Sequence, residues 1–373
     1  MQGNLIALNA KLPKVYSNFL DYNDFYNLSK MNTLKENLSY LKENKFQDLD
    51  ILSDIYEAES YLCEYQIREV KRMEHFLSSK YRDFLKGYLL ESEIRNIKYI
   101  LRAIKIGKTP TVENLVIKGK AIDFKNNSLS EFVNNLRGSD YYDILKNYIS
   151  DDDSTLFYME MNLDKYYHQK LVDISKSFSK IDREEFLDTF GIKIDILNII
   201  WIYRAKKYFN LLPEEIFNFT IFGGSYNSEK LLSLTYLRED DFVSEINKTK
   251  YSFLFEGKNG SDMFKRAERF EILNAKKVFA KSRGIGKLMA FLILLEKEIK
   301  DVEILLESTR FNLSSSDKLS HLINSAKGSE QLGYWENETC QYNGSSRGYG
   351  LCYTWYFKYG CDAIYLVRGY YKE

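Results

Sequence analysis

EIRNIKYILRA, residues 93–103, is the stretch on which the reading of this chain turns, because it recurs. It returns as DILNIIWIYRA at 195–205 and, less closely, as EIKDVEILLE at 298–307. The shared pattern is an acid, isoleucine, any residue, Asn or Asp, Ile or Val, two further residues, then Ile or Leu. The acids Glu93, Asp195 and Glu298 stand 102 and 103 residues apart. A fixed long period is the mark of a duplicated structural unit. On a helix, residues three and four apart share a face, so Ile94, Ile97, Leu101 and Ile104 make an apolar stripe. Asn96 lies beside that stripe and recurs as Asn198 and as Asp301. A polar side chain there is tolerated only with partners, which predicts a repeated hydrogen bond to a neighbouring helix end. Arg102 and Arg204 fall near helix C-termini, where the helix dipole favours positive charge. For this set (Glu93, Asn96, Arg102, Asp195, Asn198, Arg204, Glu298 and Asp301) a packing role is favoured over direct contact with a partner.

Each copy is followed by similar punctuation. Gly107 and Pro110 follow the first, Pro213-Glu214-Glu215-Ile216 the second, and Ser314-Ser315-Ser316-Asp317 the third. A stop, then a proline or serine start signal with an early acid, reads as one helix ending and another beginning. A second repeated element lies between the copies. Glu131-Phe132-Val133, Leu136, Ser139 and Tyr141 match Asp241-Phe242-Val243, Ile246, Thr249 and Tyr251 offset by offset, with a faint equivalent around Leu34 and Leu38. The expectation is an all-α protein of three related helical domains, 1–122, 123–226 and 227–324, with boundaries in the loops 118–127 and 222–230. A glycine- and aromatic-rich tail, 325–373, differs in kind, and its Tyr353–Phe357 and Ala363–Val367 segments around Gly360 suggest a small β-hairpin.

The rest of the chain agrees with helix. From 51 to 90 apolar residues recur at three- and four-residue spacing, the mark of one apolar helix face, and the same holds for 158–178 and 263–279. Only three prolines occur in 373 residues, which leaves room for long helices. Hydrophobic residues make up 45%, enough for a core. Lys plus Arg equal Asp plus Glu at 53 each, so the basic excess of a nucleic-acid binder is missing. The N-terminus does not read as a secretory signal. No stretch approaches the roughly 18 apolar residues of a membrane span, and Leu288–Leu295 reads as a buried helix face. Cys63, Cys340, Cys352 and Cys361 contain no C-x-x-C pair, which argues against zinc.

The repeat resembles the C-subunit family of V-type (A/V-type) ATPases and ATP synthases, whose eukaryotic members are the d subunits. The resemblance rests on Glu93, Asn96, Arg102 and Ala103, on Asp195, Asn198, Arg204 and Ala205, on Asn9-Ala10-Lys11 and Phe19-Leu20 near the N-terminus, and on Leu211–Ile216. It covers about residues 5–323. The third copy departs from the family, with Glu307-Ser308-Thr309 where Glu-Gly-Lys is typical, and 325–373 has no counterpart. The resemblance implies a pseudo-threefold funnel of three helical domains on the cytoplasmic face of the membrane. One end would receive central-stalk subunits and the other would seat on the membrane rotor ring, without membrane insertion, cofactor or catalysis.

Chemical motifs are weak by comparison. Gly284-Ile-Gly286-Lys287 lacks the frame of a phosphate loop and reads as a loop opening a helix near Lys287. Neither Glu-x-x-His nor His-Glu-x-x-His occurs around His75, His168 and His321, and Asp164 with His168 reads as packing or surface. The acids Asp151-Asp152-Asp153 and Asp240-Asp241 read as caps, and Cys352 with Cys361 as free thiols unless the tail meets an oxidising setting. Two other functions remain open at this level. One is a helical scaffold or adaptor unrelated to ATPases. The other is a binding or toxin-like activity in the aromatic tail.

Overall fold

A computed structural model describes residues 3–47, 49, 55–111, 115, 128–149, 155–209, 211–256 and 263–323. The expected hairpin of 325–373, the caps at 151–153, the boundary at 118–127 and the three tail cysteines lie outside these residues. Among the described residues the regular structure is entirely helical, so the protein is all-α.

In chain order the helices are α1 (Gly3–Tyr16), α2 (Tyr22–Ser29), α3 (Leu34–Asn44), α4 (Ile55–Glu74), α5 (Ser79–Lys105), α6 (Leu129–Asn135), α7 (Asp140–Leu145) and α8 (Thr155–Ser175). There follow α9 (Lys180–Phe186), α10 (Ile192–Arg204), α11 (Pro213–Phe219), α12 (Ser228–Tyr236), α13 (Glu239–Asn247), α14 (Met263–Lys281), α15 (Ile285–Arg310) and α16 (Ser315–His321). π-Helical turns at Leu187–Gly191 and Ala205–Phe209 join α9 to α10 and extend α10, so 180–209 is nearly one rod. The three repeat sequences sit on α5, α10 and α15.

Local chemistry explains the boundaries. Side-chain caps start α2 (Asp21), α3 (Thr33), α12 (Asn227) and α16 (Ser314), each accepting from the first-turn backbone. Pro213 opens α11, where its missing N–H costs nothing. Asp240 and Asp241 lie in the first turn of α13, favoured by the dipole. Over 55–90 the apolar pattern proves to run through two helices. The chain turns between Glu74 and Ser78, with Leu77 N–H donating to the Glu74 carbonyl at 3.1 Å, and Ser78 adopts an extended backbone before α5. The spacing hid this break because Leu77 is itself buried in the turn.

The long helices pack across the chain. α15 lies against α14, α4 and α1, while α5 lies against α8 and α4. Leu288–Leu295 is buried as expected, in the middle of the core.

Candidate functional site: the axis where the repeats meet

The three repeat helices meet in register. Nine residues before each repeat acid stand Phe84, Phe186 and Met289, all buried. Five before it stand Tyr88, Phe190 and Ile293, also buried. Phe84 meets Phe186 and Phe190 edge-on, with centroids 6.3 and 5.3 Å away, and Tyr88 meets Phe190 at 6.2 Å. The third helix joins through the Tyr88 hydroxyl, which donates to the Leu292 carbonyl at 3.3 Å, and through the Thr189 hydroxyl oxygen, which lies 3.5 Å from the Met289 sulfur.

Two residues before each acid the layer turns ionic: Glu91, Lys193 and Glu296. Lys193 Nζ lies 3.0 Å from both Glu296 carboxylate oxygens. Burial opposes the charge on Lys193, but Glu296 and Glu91 together hold it above the ordinary lysine range. Burial likewise opposes Glu296, yet Lys193 and Lys297 bring it down to about 2. Glu91 is pushed up, by burial and then by the Glu296 charge. Lys297 carries the network outward to Glu271 at 3.0 Å and Glu268 at 3.4 Å. His168 faces the same ions from α8, and burial followed by the Lys193 charge lowers it to about 3. It is therefore neutral at physiological pH, a packing group with Asp164, which pairs with Lys98.

The sequence-predicted residues surround this axis. Asn198 clips the chain after α11: its Nδ2 donates to the Ile221 carbonyl at 2.8 Å and its Oδ1 accepts the Ile221 N–H at 2.9 Å. Asp301 accepts the Ile323 N–H, just after α16, at 2.6 Å. Asn96 is equally buried. Asp195 accepts Ser225 N–H at 2.8 Å and the Tyr251 hydroxyl at 2.6 Å. Glu93 accepts the Tyr141 hydroxyl at 3.2 Å. These two tyrosines are the equivalent positions of the second repeated element. Burial and the adjacent acid raise both of them. Glu298 instead accepts Leu20 N–H at 2.6 Å and pairs with Lys45. Arg102 forms a two-pronged pair with Glu160 on α8, at 2.6 and 2.8 Å, while Arg204 lies over the Phe264 ring on α14. The ionic layer itself was missed. It could have been found by aligning the three copies and reading two residues upstream.

The glycine turn before α15 is filled by a carboxyl group from α9. Glu185 accepts the Gly286 N–H at 2.7 Å and the Ser282 hydroxyl at 2.5 Å. A Cβ on Gly284 would lie 2.5 Å from the same carboxylate. Burial pushes the Cys63 thiol up to about 11, which keeps it protonated. Among the described residues no group of three or more His, Cys, Asp or Glu is placed to hold a metal, and no helix is long and apolar enough to cross a membrane. What the arrangement does is fix three helices against one another through packed rings and a Lys193–Glu296 ion pair that Lys297 extends.

The sequence profile of the ATP synthase (C/AC39) subunit family matches residues 8–318. The chain belongs to this family. Among its C/AC39 relatives, the A-type ATP synthase C subunit of Methanosarcina mazei is 30% identical over 242 residues, 60% of this chain and 64% of that protein. The C subunit of the Methanosarcina barkeri A-type ATP synthase is 33% identical over 190 residues, 48% of this chain and 50% of that protein. That of Methanosphaera stadtmanae is 25% identical over 344 residues, covering 84% and 86%. The aligned part of this chain thus spans under two thirds of the first two relatives and most of the third.

Proposed function

We propose that this chain is the non-catalytic central-rotor subunit of an A/V-type ATPase or ATP synthase. It acts as a spacer that couples the central stalk to the membrane rotor ring during proton or sodium transport. The family match over 8–318 carries this reading. On it, the linear segments 1–122, 123–226 and 227–324 are three related helical units, and the molecule works by stiffness, without a cofactor, at the cytoplasmic face.

Two features support the reading. A rotor spacer must not deform, and the in-register layers at the axis supply buried packing between all three repeat helices. It must also present a surface that repeats. Thirteen residues after each repeat acid stand Ile106, Tyr208 and Phe311, which are 37%, 60% and 49% exposed. Each follows a basic residue (Lys105, Lys207 or Arg310) at the C-terminal end of its helix. A partner built from repeated subunits can meet such a surface in equivalent ways.

The test is recovery of partners by a tag on this chain, with and without 325–373, from membranes or a reconstituted operon. Both forms are expected to bring down central-stalk and rotor-ring subunits in fixed stoichiometry. Recovery by neither form at low salt, with rotor subunits present, would make the chain an unrelated helical adaptor. Recovery by the full chain alone would place the binding function in the tail.

A further inference from the structure

We infer that the N-terminal segment 20–46 completes the third repeated unit, so that the chain closes on itself as a ring and Lys45–Glu298 is the clasp. The inference rests on the three-unit reading and is independent of the rotor assignment.

The second unit supplies the template. After α10, Asn198 clips the chain at Ile221, α12 then packs on α11, and donors from both ends of the segment that carries α12 and α13 reach back to the repeat acid. At its start Ser225 donates to Asp195 through its N–H at 2.8 Å and through its hydroxyl, and the Tyr226 N–H lies 3.4 Å away, immediately before the cap residue Asn227 of α12. At its end the Tyr251 hydroxyl donates after α13.

The third unit begins in the same way. Asp301 clips the chain at Ile323 after α16. The helix that packs on α16 is α2, from the other end of the chain. Lys318 Nζ donates to the Met31 carbonyl at 2.6 Å, and the Ser29 and Ser315 hydroxyls lie 2.7 Å apart. Donors to the repeat acid again come from both ends of the segment. Leu20 N–H, immediately before the cap residue Asp21 of α2, donates to Glu298, and Lys45 after α3 pairs with the same carboxylate. Leu20 to Lys45 spans 25 residues, and so does Tyr226 to Tyr251. Lys45 therefore stands in the place of Tyr251.

The long helices close the same circle. α8 packs on the first repeat helix, α14 bridges the second, with its preceding turn, to the third, and α4, from the N-terminal part, bridges the third to the first. The junction between chain ends thus repeats the junctions between consecutive units. It differs in chemistry. Where a tyrosine hydroxyl meets the acid in units one and two, a buried ammonium does so in unit three. Burial pushes Lys45 down and Glu298 up, each opposed by the other's charge.

The full chain, followed by hydrogen exchange with peptide resolution, tests this. In Glu298→Gln, and in the milder Lys318→Met, amides of 20–46 and of 315–323 are expected to exchange together at least tenfold faster, with 225–251 unchanged. Tyr251→Phe should do the reverse, loosening 225–251 and leaving 20–46 protected. Equal acceleration throughout the chain, or no acceleration of 315–323 when 20–46 loosens, would overturn the closure. A second measurement does not depend on destabilised variants. Ser29→Cys with Ser315→Cys should form a disulfide on mild oxidation, seen as a mobility shift absent from either single variant. Failure to form it would show that the chain ends do not meet in solution.

Discussion

Asn198 is held by a pair of hydrogen bonds that no other side chain could make in the same place. It donates to and accepts from one residue, Ile221, and so satisfies both backbone groups where α11 has ended. Asn198→Ala would leave a buried N–H and a buried carbonyl unpartnered. Each orphan costs roughly 1–3 kcal/mol, so a loss of about 3 kcal/mol is expected, read as a lower urea midpoint with an unchanged slope. The asparagine and its recurrence were legible in the sequence because residue type repeats along with position. His168 gives a second residue-scale outcome. Its folded value of about 3 lies below the ordinary 6.5, so the unfolded chain binds the proton first. The stability it contributes is complete above pH 6.5 and is lost as pH falls toward 3, at up to about 1.4 kcal/mol per pH unit. The charges facing it are Lys193, Glu296 and Lys98. His168→Gln should flatten the stability profile between pH 6.5 and 5. That window lies above the one set by Glu296, whose contribution is present above about 4.5 and fades as pH falls toward 2.

At the scale of elements, the start of α15 shows what a sequence reading can and cannot reach. The glycines at 284 and 286 marked a helix start, and the helix begins at Ile285. What fills the turn is Glu185, a hundred residues earlier, and no local pattern announces a contact of that range. The glycines are required by its approach, since a Cβ on Gly286 would sit 2.9 Å from the Glu185 carboxyl carbon. Gly286→Ala should therefore cost about 1–3 kcal/mol by overpacking. Glu185→Ala should cost a similar amount by stripping the Gly286 N–H of its acceptor. Both changes break one contact, so the double variant should be less destabilised than the sum, a coupling that thermal melts of the four proteins would show. The missed break at 75–78 has the opposite origin. Phe76 and Leu77 continue the apolar spacing through a turn, and periodicity alone cannot distinguish a helix from a corner whose side chains also face the core.

The whole molecule is organised by positions that repeat while residue types do not. Glu91, Lys193 and Glu296 occupy one register in three helices, but as acid, base and acid they share no pattern, so the sequence displayed the asparagines and concealed the axis. Alternation of charge is what lets three equivalent side chains converge, because three like charges in one buried layer would repel. Lys193 is the cation of the layer, paired with Glu296 and acting on Glu91 through space. Lys193→Met should leave Glu296 without its 3.0 Å partner and Glu91 without the positive charge that opposes its upward shift. Removing one partner of a buried pair costs roughly 3–5 kcal/mol, and about 3 is expected here because Lys297 remains 3.6 Å from Glu296. Glu91→Gln with Lys193→Met and Glu296→Gln removes every charge of the layer, and most of the lost stability should return. Urea titrations of both variants decide the matter. A triple variant no more stable than Lys193→Met would mean that lysine packing, rather than charge balance, holds the axis. A Lys193→Met protein as stable as the parent would mean that the three helices are fixed by the aromatic layers alone.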